Sequence, residues 1–160
     1  MMAGSTKGEP RQQELEHGRR HALETLLAYD RNIRCVVEVG LDGQQIASAC
    51  RKRLESLEPD RETMRVFEQT AVGAGMGSSL NGYHGRVRVV IVARERLSLI
   101  VFPLFDSLIL VSADPDFPLQ KTRRMAKLLD TIFPGDLEPK EADAAPSWVP
   151  TFRELRANVL

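Results

Sequence analysis

Few residues of this chain could do chemistry, and their spacing mostly argues against it. His17 and His21, in "ELEHGRRHALE", stand four apart, which would bring both imidazoles to one side of a helix where they could grip a metal. No cysteine is near them in sequence and the stretch is densely charged, so they read as a solvated helix face. "GAGMGSSLNG" has the glycine density of a loop that cradles phosphate with backbone amides. It follows a helical pattern, however, where a phosphate loop follows a strand. Ser78 and Ser79 come directly after Gly77, where such a loop carries its lysine. Gly73, Gly75 and Gly77 therefore read as close backbone packing or a fraying helix end. "GSSLNGYHG" adds Tyr83 and His84, but no serine or cysteine stands in a nucleophile elbow. Paired carboxylates occur only in charged linkers and on helix faces. The expectation is a protein with no catalytic residues, no cofactor and no metal, and no enzyme activity.

The two cysteines belong to a hairpin. "VEVGLDGQQIAS" reads as two extended runs hinged on Asp42 and Gly43, residues that accept the positive φ of a tight turn. A two-residue turn there sets Leu41 opposite Gln44 and Cys35 opposite Cys50. A bridge is thus geometrically open. Without an export signal a reducing compartment is expected, and two thiols in a sheet are the reading taken.

Bulk composition narrows the class. Among 160 residues, 42% are apolar and 28% charged, close to globular averages, which suits one domain with tails. Lys and Arg number 22, as do Asp and Glu. The cationic surplus that displaces counterions from phosphate is missing, so no nucleic acid partner is expected. The first residues show no signal-peptide pattern and no run approaches the roughly 20 apolar residues of a membrane span. The expected location is cytoplasmic, without membrane insertion.

Around the hairpin the pattern alternates between helical and strand-like. Residues 1–13 are polar and read as a loose tail. From Glu14 to Tyr29, Leu15, Ala22, Leu23, Leu26 and Leu27 recur at helical spacing. "IRCVVEV" alternates, with Ile33, Cys35, Val37 and Val39 assigned to one face. A second helix opens at Asp60, burying Met64, Phe67, Ala71 and Ala74 beside a stripe of Val66, Thr70, Gly73 and Gly77. Three strand-like runs follow, "RVRVVIVAR", "LSLIVF" and "LILVSA", too closely spaced for parallel crossovers. Asp114 to Asp116 ends the sheet and can cap a helix from about Phe117 to Phe133, with Leu119, Ala126, Leu129, Ile132 and Phe133 inward. Residues 134–150 read as a linker. In 151–160, Thr151 and Glu154 have capping-box spacing, and Phe152, Leu155 and Val159 share one side of a short helix. Ten residues cannot hold a helix alone in water, so that side calls for a docking surface.

Helix, two strands, helix, three strands, helix makes an α+β sandwich. Within it, Arg86, Arg88, Arg94 and Arg96 fringe the run Val89 to Val92, which is apolar on both faces. Such a run implies cover on two sides or a partner strand extending the sheet, while the arginines either guard an edge or rim a contact.

This order, with "VVEVGLDGQQIAS", the long second helix and "RVVIVARERLSLIVFPLFDSLILVSADPD", resembles the roadblock/dynein light chain domain, a relative of longin and profilin-like folds. The resemblance spans residues 14–133; "GAGMGSS" and the tail are additions to it. It implies a five-stranded antiparallel sheet with helices on both faces, the second on one side and the first and third on the other. It also implies a homodimer joined through third strands, second helices side by side, seating Arg86, Val87, Arg88, Val89, Val90 and Ile91 at the seam with Val66, Thr70, Gly73 and Gly77. Relatives act without chemistry as adaptors or regulators of small Ras-like GTPases, or as motor light chains. The expected function is a homodimeric adaptor for a small GTPase or related partner, with Phe152, Leu155 and Val159 as a partner-binding tail. A different class, a profilin- or PAS-like ligand sensor, would need a pocket lined partly by polar groups, whereas the lining positions here are mostly aliphatic.

Overall fold

In the computed structural model β1 (Ile33–Gly40) and β2 (Gln45–Cys50) form an antiparallel hairpin, but its loop holds three residues where two were expected. Gly40 N–H donates to Gln44 O at 2.8 Å, and Gly43 N–H to Gly40 O at 2.9 Å. Gly43 has φ 82°, which a residue without Cβ adopts freely. Asp42 Oδ1 accepts from Gln44 N–H at 3.0 Å, the local bond that suits Asp to turns. A bulge compensates for the odd loop. Glu38 faces Ala47 while Val39 faces Gln45, so Ile46 is the extra residue. Cys35 therefore still faces Cys50. The structure joins the two in a disulfide, where two thiols were expected.

The structure describes residues 9–52, 60–75 and 81–133; the linker and the tail helix expected at 134–160 lie outside them. The elements after the hairpin are α2 (Asp60–Gly75), α3 (Asn81–His84), β3 (Val90–Ala93), β4 (Ser98–Pro103), β5 (Ser107–Ala113) and α4 (Leu119–Ile132). The five strands make one antiparallel sheet in the order β2-β1-β5-β4-β3. Strands β1, β5 and β4 are interior, which explains why their sequences are apolar at successive positions. Val36, Ile100, Phe102, Ile109 and Val111 fill one layer, and Val37, Val39, Val101, Leu108 and Leu110 the other. Ile33 joins Val36 in its layer, not Cys35, Val37 and Val39 as alternation suggested, because the ladder with β5 shifts between Ile33 and Cys35.

The first layer is covered by α4 and by α1 (Glu9–Tyr29), through Ala22, Leu23, Leu26, Met125 and Leu129. Helix α1 starts at Glu9, inside the stretch read as a loose tail. Pro10 is tolerated in a first helical turn, and Gln, Arg and Glu after it are good helix formers. Helix α4 starts later than expected. Its N-cap is Pro118 with no side-chain cap bond, so the Asp cluster does not cap it, and Leu119 is 52% exposed instead of buried. Thr122 and Met125 take the inward positions.

Polar ties hold this layer. Glu38, 1% exposed, accepts from Ser107 Oγ at 3.0 Å and from Arg19 Nη1 at 3.1 Å. Arg51, just past β2, donates to Ile33 O, Leu27 O and Asp30 O. Asp30 pairs with Lys121, linking the end of α1 to α4. That hydrogen bond first, and the Asn32 N–H second, hold the Asp30 carboxyl below its ordinary value. A depressed carboxyl stabilises the fold at pH above its unfolded value, about 3.9, and the contribution vanishes as pH falls through the lower folded value. Urea midpoints measured down through that window should fall, and Asp30→Asn should flatten this part of the profile. Among the described residues no helix is long and apolar enough to cross a membrane.

Candidate interaction edge

Strand β3 is one of the two outer strands of the sheet, with β2 the other. Its residues Val90, Ile91, Val92 and Ala93 pair with Val101, Ile100, Leu99 and Ser98 of β4, and among the described residues no strand lies against its other side. Arg94 N–H donates to Leu97 O at 2.9 Å, closing a two-residue turn at Glu95 and Arg96. An edge leaves a row of backbone donors and acceptors ready for another chain. Here it also carries uncovered aliphatics: Ile91 is 41% exposed and Val92 39%. Of the two readings open for the apolar run, cover on two sides or an edge awaiting a partner strand, the structure puts it on an outer strand with little cover.

The strand is shorter than the expected 86–94. Arg86, Val87, Arg88 and Val89 precede it without ladder bonds. Val89 packs toward the α1 and α4 layer, and Arg88 Nη2 donates to Asp130 Oδ2 of α4 at 2.8 Å. These contacts turn the segment along its own domain. Val90, Ile91 and Val92 lie on this outer strand, within the run expected to form it.

On the neighbouring layer Phe67, 4% exposed, plugs α2 into Val37, Val39, Val101, Leu108 and Leu110. Val66 and Thr70 are half-buried, while Gly73 is exposed with nothing within 4 Å of where a Cβ would stand. Gly77 lies outside the described residues. Val72, missed by the stripe assignment, is 67% exposed. A β-branched residue on the outer side of a helix, with low helix propensity, was the available signal.

The residues singled out for chemistry are not brought together among the described residues. His17 and His21 are exposed on α1, Tyr83 and His84 are exposed in α3, and Ser78 and Ser79 lie outside the described residues. Among the described residues no three acids, histidines or cysteines gather to hold a metal. What the geometry offers is backbone pairing flanked by aliphatic surface.

No sequence-family model and no curated protein matches the chain. Solved structures do match. The gliding protein MglB of Thermus thermophilus is similar at 18% identity, with TM-score 0.58 over 73% of this chain and 89% of that one. A roadblock/LC7 domain of Streptomyces avermitilis is similar at 18% identity, with TM-score 0.54 over 71% and 92%. The chain has a roadblock fold. A structure of MglB with tetrameric arrangement is similar at 19% identity, with TM-score 0.56 over 82% and 96%. In this roadblock fold α1 and α4 share one side of the sheet and α2 takes the other, the layering that the resemblance implied.

Proposed function

We propose that the chain is a homodimeric, non-catalytic adaptor that docks a small Ras-like GTPase or a related protein. The observation carrying this reading is the open β3 edge with Ile91 and Val92 uncovered. Two copies joined antiparallel at β3 would continue one sheet through both molecules. A four-residue strand falls short of the roughly 800 Å² per partner of a stable interface. Helix α2 must therefore contribute, through Val66, Thr70, Val72 and Gly73 with Gly77 beyond, while Arg86, Val87, Arg88 and Val89 border the contact.

Self-association is supported by the tetrameric arrangement named for one MglB structure of this fold. The GTPase partner is supported by the roadblock resemblance. Phe152, Leu155 and Val159 would supply a second contact, a short helix stabilised only once seated. Sedimentation of the full chain at micromolar concentration tests the first step, with a dimer expected and a strict monomer refuting it. Titration of that dimer with a Ras-like GTPase, loaded in turn with di- and triphosphate, tests the second.

A further inference from the structure

We propose that Cys35 and Cys50 form a reversible thiol–disulfide exchange site on the outer edge of the sheet, reacting with small thiols and dithiols. The site lies at the opposite edge from β3 and stands independently of the adaptor reading.

Its placement follows from the hairpin. The flanking ladder bond runs from Arg51 N–H to Arg34 O at 2.9 Å, so Cys35 and Cys50 occupy the adjacent non-hydrogen-bonded pair, the position where opposed side chains approach most closely. Their Cα atoms are 4.0 Å apart and the sulfurs are bonded. The two ends of the bridge differ in access. Cys50 is exposed on β2, while Cys35 is half-buried and packs against the layer under α2. A reagent arriving from solvent meets Cys50 first.

The chemistry is a pair of exchanges. A small thiolate attacks the Cys50 sulfur, the Cys35–Cys50 bond breaks, and Cys35 leaves as a thiolate that takes a proton from water. A second thiolate attacks the outer sulfur of the mixed disulfide and releases Cys50 as a thiolate, which is protonated in turn. Two protein thiols and one small disulfide result from one bridge and two small thiols. Oxidised small disulfide drives the reverse, with Cys35 as the resolving sulfur held opposite by the ladder.

The bridge bears on more than the hairpin. Cys50 is followed by Arg51, which holds the carbonyls at the end of α1, and the chain then leaves for α2. Oxidised, the exit of β2 is tied covalently to the sheet. Reduced, it is kept by backbone bonds and the Arg51 contacts.

Equilibrating the full chain in a series of glutathione buffers, quenching with an alkylating reagent and weighing the intact protein tests this. The expected result is a single transition between no alkylated thiol and two within the series, with slower amide hydrogen exchange across β2 in the oxidised form. Cys50 in Cys35→Ser should also react about tenfold faster with a charged disulfide reagent than Cys35 in Cys50→Ser, as access governs thiol reactivity. Two alkylated thiols even in the most oxidising buffer would overturn the proposal. So would a bridge that survives the most reducing one, or a bond found only between chains.

Discussion

Replacing Ile91 by aspartate is expected to turn the proposed dimer into a monomer while leaving the fold intact. In a single chain Ile91 is 41% exposed on an outer strand, and a surface substitution usually moves stability by no more than about 0.5 kcal/mol. Inside a paired edge the same carboxylate would be shut away from water. An uncompensated buried charge costs about 3–5 kcal/mol, so the dissociation constant should rise by roughly a hundredfold or more. Sedimentation with a thermal melt of the same sample separates the two effects. Ile46→Asp is the control: Ile46 is 45% exposed on β2, the other edge, and a charge there should leave the assembly as it was. A dimer that survives Ile91→Asp would move the seam away from β3.

Arg51→Ala is expected to cost about 3 kcal/mol of stability, because each hydrogen bond to a charged group contributes about 1.5–3 kcal/mol and the terms do not add fully. The last carbonyls of a helix lack internal partners, and α1 has no basic residue in its final turn. Arg51 reaches across from the end of β2 instead. Its Nε donates to Ile33 O at 2.6 Å, and its Nη2 to Leu27 O at 3.0 Å and Asp30 O at 2.8 Å. The cation also sits at the negative end of the helix dipole. At roughly 2–4 °C per kcal/mol for a domain of this size, the melting temperature should drop by about 6–12 °C. Arg51→Lys should recover less than half, since one ammonium cannot span three carbonyls as a planar fork does. An unchanged melting temperature would show that water serves those carbonyls equally well.

Most of the architecture was legible in the sequence. The order of elements, the opening of α2 at Asp60 and the antiparallel meander of β3, β4 and β5 follow from periodicity and short connections. What failed were questions that only neighbours decide. Alternation put Ile33 with Cys35, Val37 and Val39, but an interior strand is buried on both sides and a register shift is invisible in composition. Leu119 looked inward by helical spacing, yet it falls on the first residue of α4, before the helix settles on the sheet. Arg86 to Val89 have strand-like composition, but contacts distant in sequence, Arg88 with Asp130 of α4 and Val89 with the core layer, accompany their departure from the ladder. The candidate edge was legible as an apolar run fringed by arginines, whereas which arginine turns back on its own domain was not. Glu38 and Arg51 gave no advance sign of their roles, since a lone Glu in a strand or an Arg after one is ordinary until its partners are in place.

The two irregularities at the hairpin tip cancel each other. The odd loop advances the pairing by one step and Ile46 sets it back, so everything below Glu38 and Ala47 is indifferent to how the tip is closed. A designer could graft a longer peptide between Gly40 and Gln44, since the register below is held by the ladder and not by the loop. A one-residue slip within the ladder, by contrast, would rotate Ser48 and Cys50 to the far side and strand Cys35 without its mate. The tip is thus a tolerant socket.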